Sequence, residues 1–134
     1  SSDPARWPTD PQKLRHCVGI PQKASSMSIN SRADRPIVDM GDGVRRRTMV
    51  WGDHMLLAEI HLDDGGTVPR HDHVYEQIGY CISGSDEQTE GDHTKIVSAN
   101  TSWMIPGDTT HGARALEPSF MIEVWSPARD DYKD

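Results

Sequence analysis

The sequence predicts an all-β protein built as a single small barrel or sandwich. Three observations predict it. From Val44 onward, short apolar stretches alternate with Gly, Pro, Asn and Asp turn residues, the pattern of closely spaced strands. No stretch keeps a 3.6-residue apolar period for three turns, which excludes a substantial amphipathic helix. The chain is 134 residues long, with 34% apolar residues and one Phe, enough for one core and not for two.

Taken in order, residues 1–43 read as an arm. Pro4, Pro8, Pro11, Pro21 and Pro36 punctuate it, with serines between them. No apolar period persists, so an extended, irregular segment is expected, with short strands adding to a sheet edge of the same or a partner subunit. Residues 44–134 form the barrel domain. Met55 to Leu62 is a strand closed by Asp63-Asp64-Gly65-Gly66, where glycine supplies positive φ. Tyr75 to Ser83, Thr94 to Val97, Ser102 to Ile105, Ala113 to Leu116 and Ser119 to Trp125 follow, each bounded by turn residues. In the last of these, Met121, Glu123 and Trp125 share one face and Phe120, Ile122 and Val124 the other. A carboxylate on such a strand is either functional or in water at an edge. If buried, desolvation raises its pKa and suits it to proton transfer. The tail Asp131-Tyr132-Lys133-Asp134 resembles the start of a common epitope tag and is given no functional weight.

A formal charge of −7 and no basic cluster larger than Arg45-Arg46-Arg47 exclude a nucleic-acid partner, which needs a broad basic face. The triplet reads as a solvated face. No apolar run approaches a membrane span of roughly 18 residues and no signal pattern opens the chain, so a cytoplasmic protein without membrane contact is expected. The two cysteines, Cys17 and Cys81, read as free thiols. Cys81 has the parity of a small core residue.

The chemistry concentrates in His71-Asp72-His73-Val74-Tyr75-Glu76-Gln77. Side chains alternate faces along a strand, so His71, His73 and Gln77 converge while Glu76 points away. The reading assumes no bulge between His73 and Gln77. One strand cannot surround an ion, and His111, just after the turn Pro106-Gly107-Asp108-Thr109-Thr110, is the candidate from a second strand. Such donors suit one divalent ion: Zn, Ni, Mn or Fe, with Cu also compatible. Three histidines and an amide leave about +2 on the site, where a Glu at position 77 would leave about +1. At ~4 Å and an effective dielectric of ~20, that unit is worth about 4 kcal/mol. Carboxylate or enolate oxygens are therefore favoured ligands.

Gly65 through Gly84 resembles the first cupin motif, Gly-x5-His-x-His-x3-Glu-x6-Gly, with Gln77 in the glutamate position. Residues 100–111 resemble the second, Gly-x5-Pro-x-Gly-x2-His, with Asn100 and Asp108 replacing glycines; both tolerate the left-handed conformation. Ala115 stands where an Asn is usual. The resemblance implies a cupin jelly-roll β-barrel with its metal inside. Pairing through barrel faces or N-terminal strands is common in such proteins, and a homodimer is expected. From about Val44 to Tyr132 the chain further resembles the pectin-degradation cupins of the KdgF type, through Glu76-Gln77-Ile78-Gly79-Tyr80, Ile105-Pro106-Gly107, His111-Gly112-Ala113 and Glu123 to Tyr132. That family converts 4,5-unsaturated uronates to linear keto forms. Its Asp, Phe and Arg beside the metal fall by position on Glu123, Trp125 and Arg129, of which only Arg129 is identical.

The implied protein is a non-oxidative, metal-dependent lyase- or isomerase-type enzyme acting on a small anionic sugar. Glu123 and Arg129 would be catalytic, and Trp125 and Arg129 would bind substrate. Two other readings compete: an iron-dependent dioxygenase and a metal-containing binding or sensor module without turnover. His16, His54 and His93 read as solvated, Trp51 and Trp103 as packing residues, and His61 as an occasional lumen residue.

Overall fold

The computed structural model describes residues 26–134. Ten strands form two antiparallel sheets facing each other, the jelly-roll expected from the sequence. A six-stranded sheet runs in the order β1 (Val38–Gly41), β2 (Val44–Trp51), β3 (Leu56–Leu62), β10 (Ser119–Ser126), β5 (Glu76–Ser83), β8 (Ser102–Ile105). A four-stranded sheet runs β4 (Thr67–His71), β9 (His111–Ala115), β6 (Ser85–Glu90), β7 (His93–Ser98). No described helix is long and apolar enough to cross a membrane.

Alternation builds the core. Leu56, Ala58, Ile60 and Leu62 of β3 face inward, with Met121 and Trp125 of β10, Cys81 of β5, Val97 of β7 and Ala115 of β9. The opposite parity of β5 and β8 leaves Ile78, Tyr80, Ile82 and Met104 exposed on the outer face. Six strands fall within a residue or two of their expected bounds. β2, β4 and β6 lie outside the expected strands, the last two for physical reasons. Pro69 interrupts β4, and proline is confined to sheet edges because it donates no ladder hydrogen bond; β4 is indeed an edge strand whose register slips between Val68 and His71. β6 reads Ser-Asp-Glu-Gln-Thr-Glu and carries no apolar alternation; its inner residues Asp86 and Gln88 line a cavity rather than a packed core. β1, within the arm, pairs with β2.

The Arg45–Arg47 triplet is divided between the two faces rather than solvated as a block. Arg46 points inward, buried, bonding Thr48 Oγ1 at 3.1 Å and the Asp134 carboxylate. Arg45 pairs with Asp63 at 2.9 Å and Arg47 with Glu59 at 3.3 Å. Arg46 also lies 4.1 Å over the Tyr132 ring, and Tyr132 meets Trp125 edge-on at 5.1 Å. The tail is thus packed against the barrel interior. His61 lies on the outer face, stacked on Phe120 at 4.6 Å, not in the lumen. Asn100 and Asp108 adopt φ of 68° and 58°, the left-handed conformation expected at those turns.

Gly79 fixes the shape of the interior. A Cβ there would lie 2.2 Å from the Trp103 ring, which crosses the inner face of β5 at this position. Gly79→Ala should therefore destabilise the fold by about 1–3 kcal/mol, read as a lower urea midpoint. In a Trp103→Ala background the same change should cost little. An equal cost in both backgrounds would show that the ring contact is not the cause.

Candidate functional site

The chain leaves the four-stranded sheet at His71 and enters the six-stranded sheet at Glu76. The parity argument treated residues 71–77 as one strand; they are instead a crossover between sheets. It nevertheless brings His71, His73 and Gln77 to one end of the barrel, while Glu76 is exposed. Two contacts hold the crossover. The Asp108 N–H donates to the His73 carbonyl at 2.7 Å. Gly107, where a Cβ would stand 2.4 Å from the Val74 oxygen, lets the turn approach that closely.

His71 pairs with His111 across β4 and β9. The ligand atoms of His71, His73 and His111 lie within 4.8 Å of one another. Each imidazole has its Nδ1 against a backbone carbonyl: Pro69 at 2.7 Å, Tyr75 at 3.0 Å and Thr109 at 2.8 Å, respectively. A carbonyl only accepts, so each Nδ1 carries the proton and a neutral ring keeps its lone pair on Nε2, which at His73 faces the Gln77 oxygen as two ligands of one cation would. Burial, then the charges of Arg129 and His71, holds His73 below the usual histidine pKa, and burial does the same for His111. Neutral imidazoles with three convergent lone pairs fit a divalent transition metal.

Gln77 links these histidines to a buried acid. Its Oε1 lies 3.1 Å from His73 Nε2, and its Nε2 donates to Glu123 Oε1 at 2.9 Å. Glu123 is therefore interior and not at a wet edge. Burial raises its pKa from 4.5 to about 7, against the opposing pull of the Gln77 hydrogen bond. Arg129 is buried too. Its Nε and Nη2 donate to both Asp131 oxygens at 3.1 and 2.8 Å, and its guanidinium lies 3.8 Å over Tyr132. His71, His111, Gln77, Glu123, Trp125 and Arg129 all line one cavity of ≈ 320 Å³. His16 and Cys17 lie outside the described residues.

The sequence reading missed Asp86. It is 2% exposed and lines the same cavity. Among the described residues, its Oδ2 receives only a 3.4 Å contact from Gln88 and its Oδ1 has no hydrogen-bond partner. Trp103, read as packing, also lines the cavity. A signal for Asp86 existed: two residues beyond Gly84, in a strand, it has the inward parity.

Residues 58–125 match the family described as the Cupin domain. The sequence is 30% identical over 102 residues to the pectin degradation protein KdgF of Dickeya dadantii (strain 3937), covering 74% of this chain and 92% of that protein. It is 32% identical over 79 residues to the H2HPP isomerase of Bacillus subtilis, covering 58% of this chain and 33% of that protein. The solved structure of KdgF from Halomonas sp. superposes with a TM-score of 0.74 at 29% identity, covering 79% of this chain and 98% of that one. An RmlC-like cupin from Shewanella frigidimarina superposes at 0.75 with 25% identity, covering 80% and 96%.

Desolvation raises the Asp86 pKa from 3.8 to about 6. A folded pKa above the unfolded one means that ionisation opposes folding. The penalty is absent below pH 3.8 and complete above about 6, where it amounts to at most about 3 kcal/mol. Asp86→Asn should thus stabilise the protein at pH 8 by about 2–3 kcal/mol, with the gain fading toward pH 4. Urea unfolding across that range checks it, and a gain independent of pH would refute the cause given.

Proposed function

Because this chain belongs to the cupin family, with its convergent residues at the motif positions, we propose that it is a metal-dependent enzyme acting without redox change on a small sugar acid, most specifically an unsaturated uronate. The observation that carries the reading is the chain of contacts from His73 through Gln77 to a buried Glu123 of near-neutral pKa. Proton transfer is most effective from a group whose pKa lies near the working pH. The similarity to pectin degradation proteins along nearly their whole length supports the substrate class.

His71, His73, His111 and the Gln77 oxygen would hold the metal, Zn, Ni, Mn or Fe. When bound, it supplies Lewis-acid polarisation of substrate oxygens and fixes the anion. The rest falls to the chain. Opening a 4,5-unsaturated uronate removes the proton of the C1 hydroxyl, breaks C1–O5 to leave an aldehyde, and adds a proton at C4 as C5 becomes a ketone. One proton leaves and one arrives, with no oxidant and no net water. Glu123 takes and returns that proton. Gln77 positions Glu123 through its amide N–H, and Arg129 orients the carboxylate through its guanidinium donors. Trp125 offers a flat apolar face to the sugar ring. The stripe of Ile78, Tyr80, Ile82 and Met104 supports the expected homodimer, since patches of this kind mark interaction surfaces.

Elemental analysis of purified variants tests ligation: His71→Ala and His111→Ala should lose the metal, and Glu76→Ala should retain it. Loss in Glu76→Ala with retention in Gln77→Ala would reverse the ligand assignment. Glu123→Gln should lower turnover by roughly 10²–10⁴-fold with metal content unchanged, followed as loss of the 4,5-double-bond absorbance. Arg129→Lys should chiefly raise KM. A parent protein inert toward unsaturated uronates would end the sugar assignment.

A further inference from the structure

Among the described residues, three buried side-chain polar atoms have no hydrogen-bond partner in the protein: Asp86 Oδ1, Trp103 Nε1 and Trp125 Nε1. All three residues line the cavity that holds the histidines and Glu123. Buried polar groups in folded proteins are almost always partnered, so a group left without one calls for a ligand, an ion or a water. Their coincidence in one cavity, with no such atom found elsewhere among those residues, points to a ligand.

The topology sets where they stand. Glu90 pairs with His111 on β9, and Asp86 pairs with Ala115. Asp86 is therefore four strand positions from the histidine, about 13 Å along the strand at ~3.3 Å per residue. The Arg129 guanidinium lies 5.0 Å from the Tyr75 ring and 5.8 Å from the ring of Trp125, which pairs with Gln77, so this cation stands at the histidine end. The cavity thus has a cation at the histidine end and, at the far end, an acceptor on Asp86. Between the two ends, the Trp103 indole lies on the inner face of β5 in the space of Gly79's missing side chain, two positions from Gln77.

One acceptor and two donors demand a ligand that both donates and accepts. A hydroxyl does both; a ketone or a methyl does not. A six-carbon acid is about 6 Å from end to end, and a hydrogen bond of about 2.8 Å at each end brings this to about 12 Å, close to the about 13 Å of strand between the two ends. At ≈ 320 Å³ the space sits at the small end for ligand sites, which fits a monosaccharide and not an oligosaccharide. We propose that Trp125 opposite Gln77, Trp103 opposite Gly79 and Asp86 at the far end form a hydroxyl-recognition subsite running down the cavity, which selects polyhydroxylated monosaccharide acids whose carboxylate lies at the histidine end. Asp86 and Trp103 are specificity residues here, contacting the ligand away from the reacting atoms.

The ligand class is taken from the sugar-acid reading above, on which this subsite rests, and the test separates the two. The full chain, with its tryptophans labelled with ¹⁵N at the indole nitrogen, is titrated with D-galacturonate and with cyclohexanecarboxylate, which has the carboxylate and a six-membered ring but no hydroxyls. Galacturonate should bind at least about tenfold more tightly and shift the Trp103 and Trp125 indole resonances. Asp86→Leu keeps the branched outline, with bulkier methyls turned to the cavity, and removes a buried acid, so it should fold; it and Trp103→Phe should bring the two ligands within about twofold. Equal binding of both ligands by the parent, unmoved indole resonances, or variants that keep the preference would each overturn the subsite. Turnover of an unsaturated uronate that persists unchanged in Asp86→Leu would sink the subsite and leave the enzyme reading intact. Discrimination by a parent without turnover would do the reverse.

Discussion

The transfer of the chain from one sheet to the other between His71 and Glu76 is the constraint on which the site rests. A strand that continued straight would place its histidines in a row along one face. Here the backbone crosses the barrel's end, so His71 stays on β4 beside His111 while Gln77 enters β5 beside Trp125 and near Glu123. The crossover is held from below by the Pro106–Asp108 turn. The carbonyls of Pro69 on β4, Tyr75 in the crossover and Thr109 before β9 then orient the imidazoles. Local backbone geometry therefore decides the protonation tautomer of all three rings before any ligand arrives.

The interior is unusually polar for a domain this small. Arg46, Thr48, Gln77, Asp86, Glu123 and Arg129 are all buried, and burial of such groups opposes folding unless they are paired. Arg46 and Arg129 are paired, with Asp134 and Asp131. Asp86 and Glu123 are not paired with cations; both are pushed toward neutrality by desolvation. Stability is set against these two groups in the same place where the chemistry gathers. Local rules of folding are commonly broken at functional sites.

Strand alternation made much of this legible. The inward face of β10 follows from parity, and the left-handed turns at Asn100 and Asp108 and the histidine cluster follow from the likeness to the two cupin motifs. What stayed hidden has a common cause. β6 has no apolar pattern and its inner residues meet a cavity, so neither the strand nor Asp86 announces itself. Trp103 reads as packing because a large aromatic gives no hint that a glycine on the neighbouring strand admits it to the lumen. The tail was discounted on its likeness to a tag, yet Tyr132 and Asp134 engage Trp125 and Arg46. Long-range pairings of this sort leave no local trace.

The grip of Asp131 on Arg129 has a thermodynamic meaning. A free arginine side chain carries about 2 kcal/mol of rotamer entropy, and a flexible one surrenders it on each encounter with an anion. Here the guanidinium is held by two hydrogen bonds along one edge and by the faces of Tyr132, Trp125 and Tyr75. Its motional freedom is already lost on folding. An anion that reaches the cavity meets a cation with a fixed direction, and the entropic cost of association falls on the incoming molecule alone. A rigid ligand gains most from such a partner, which favours a ring over an open chain at the moment of capture.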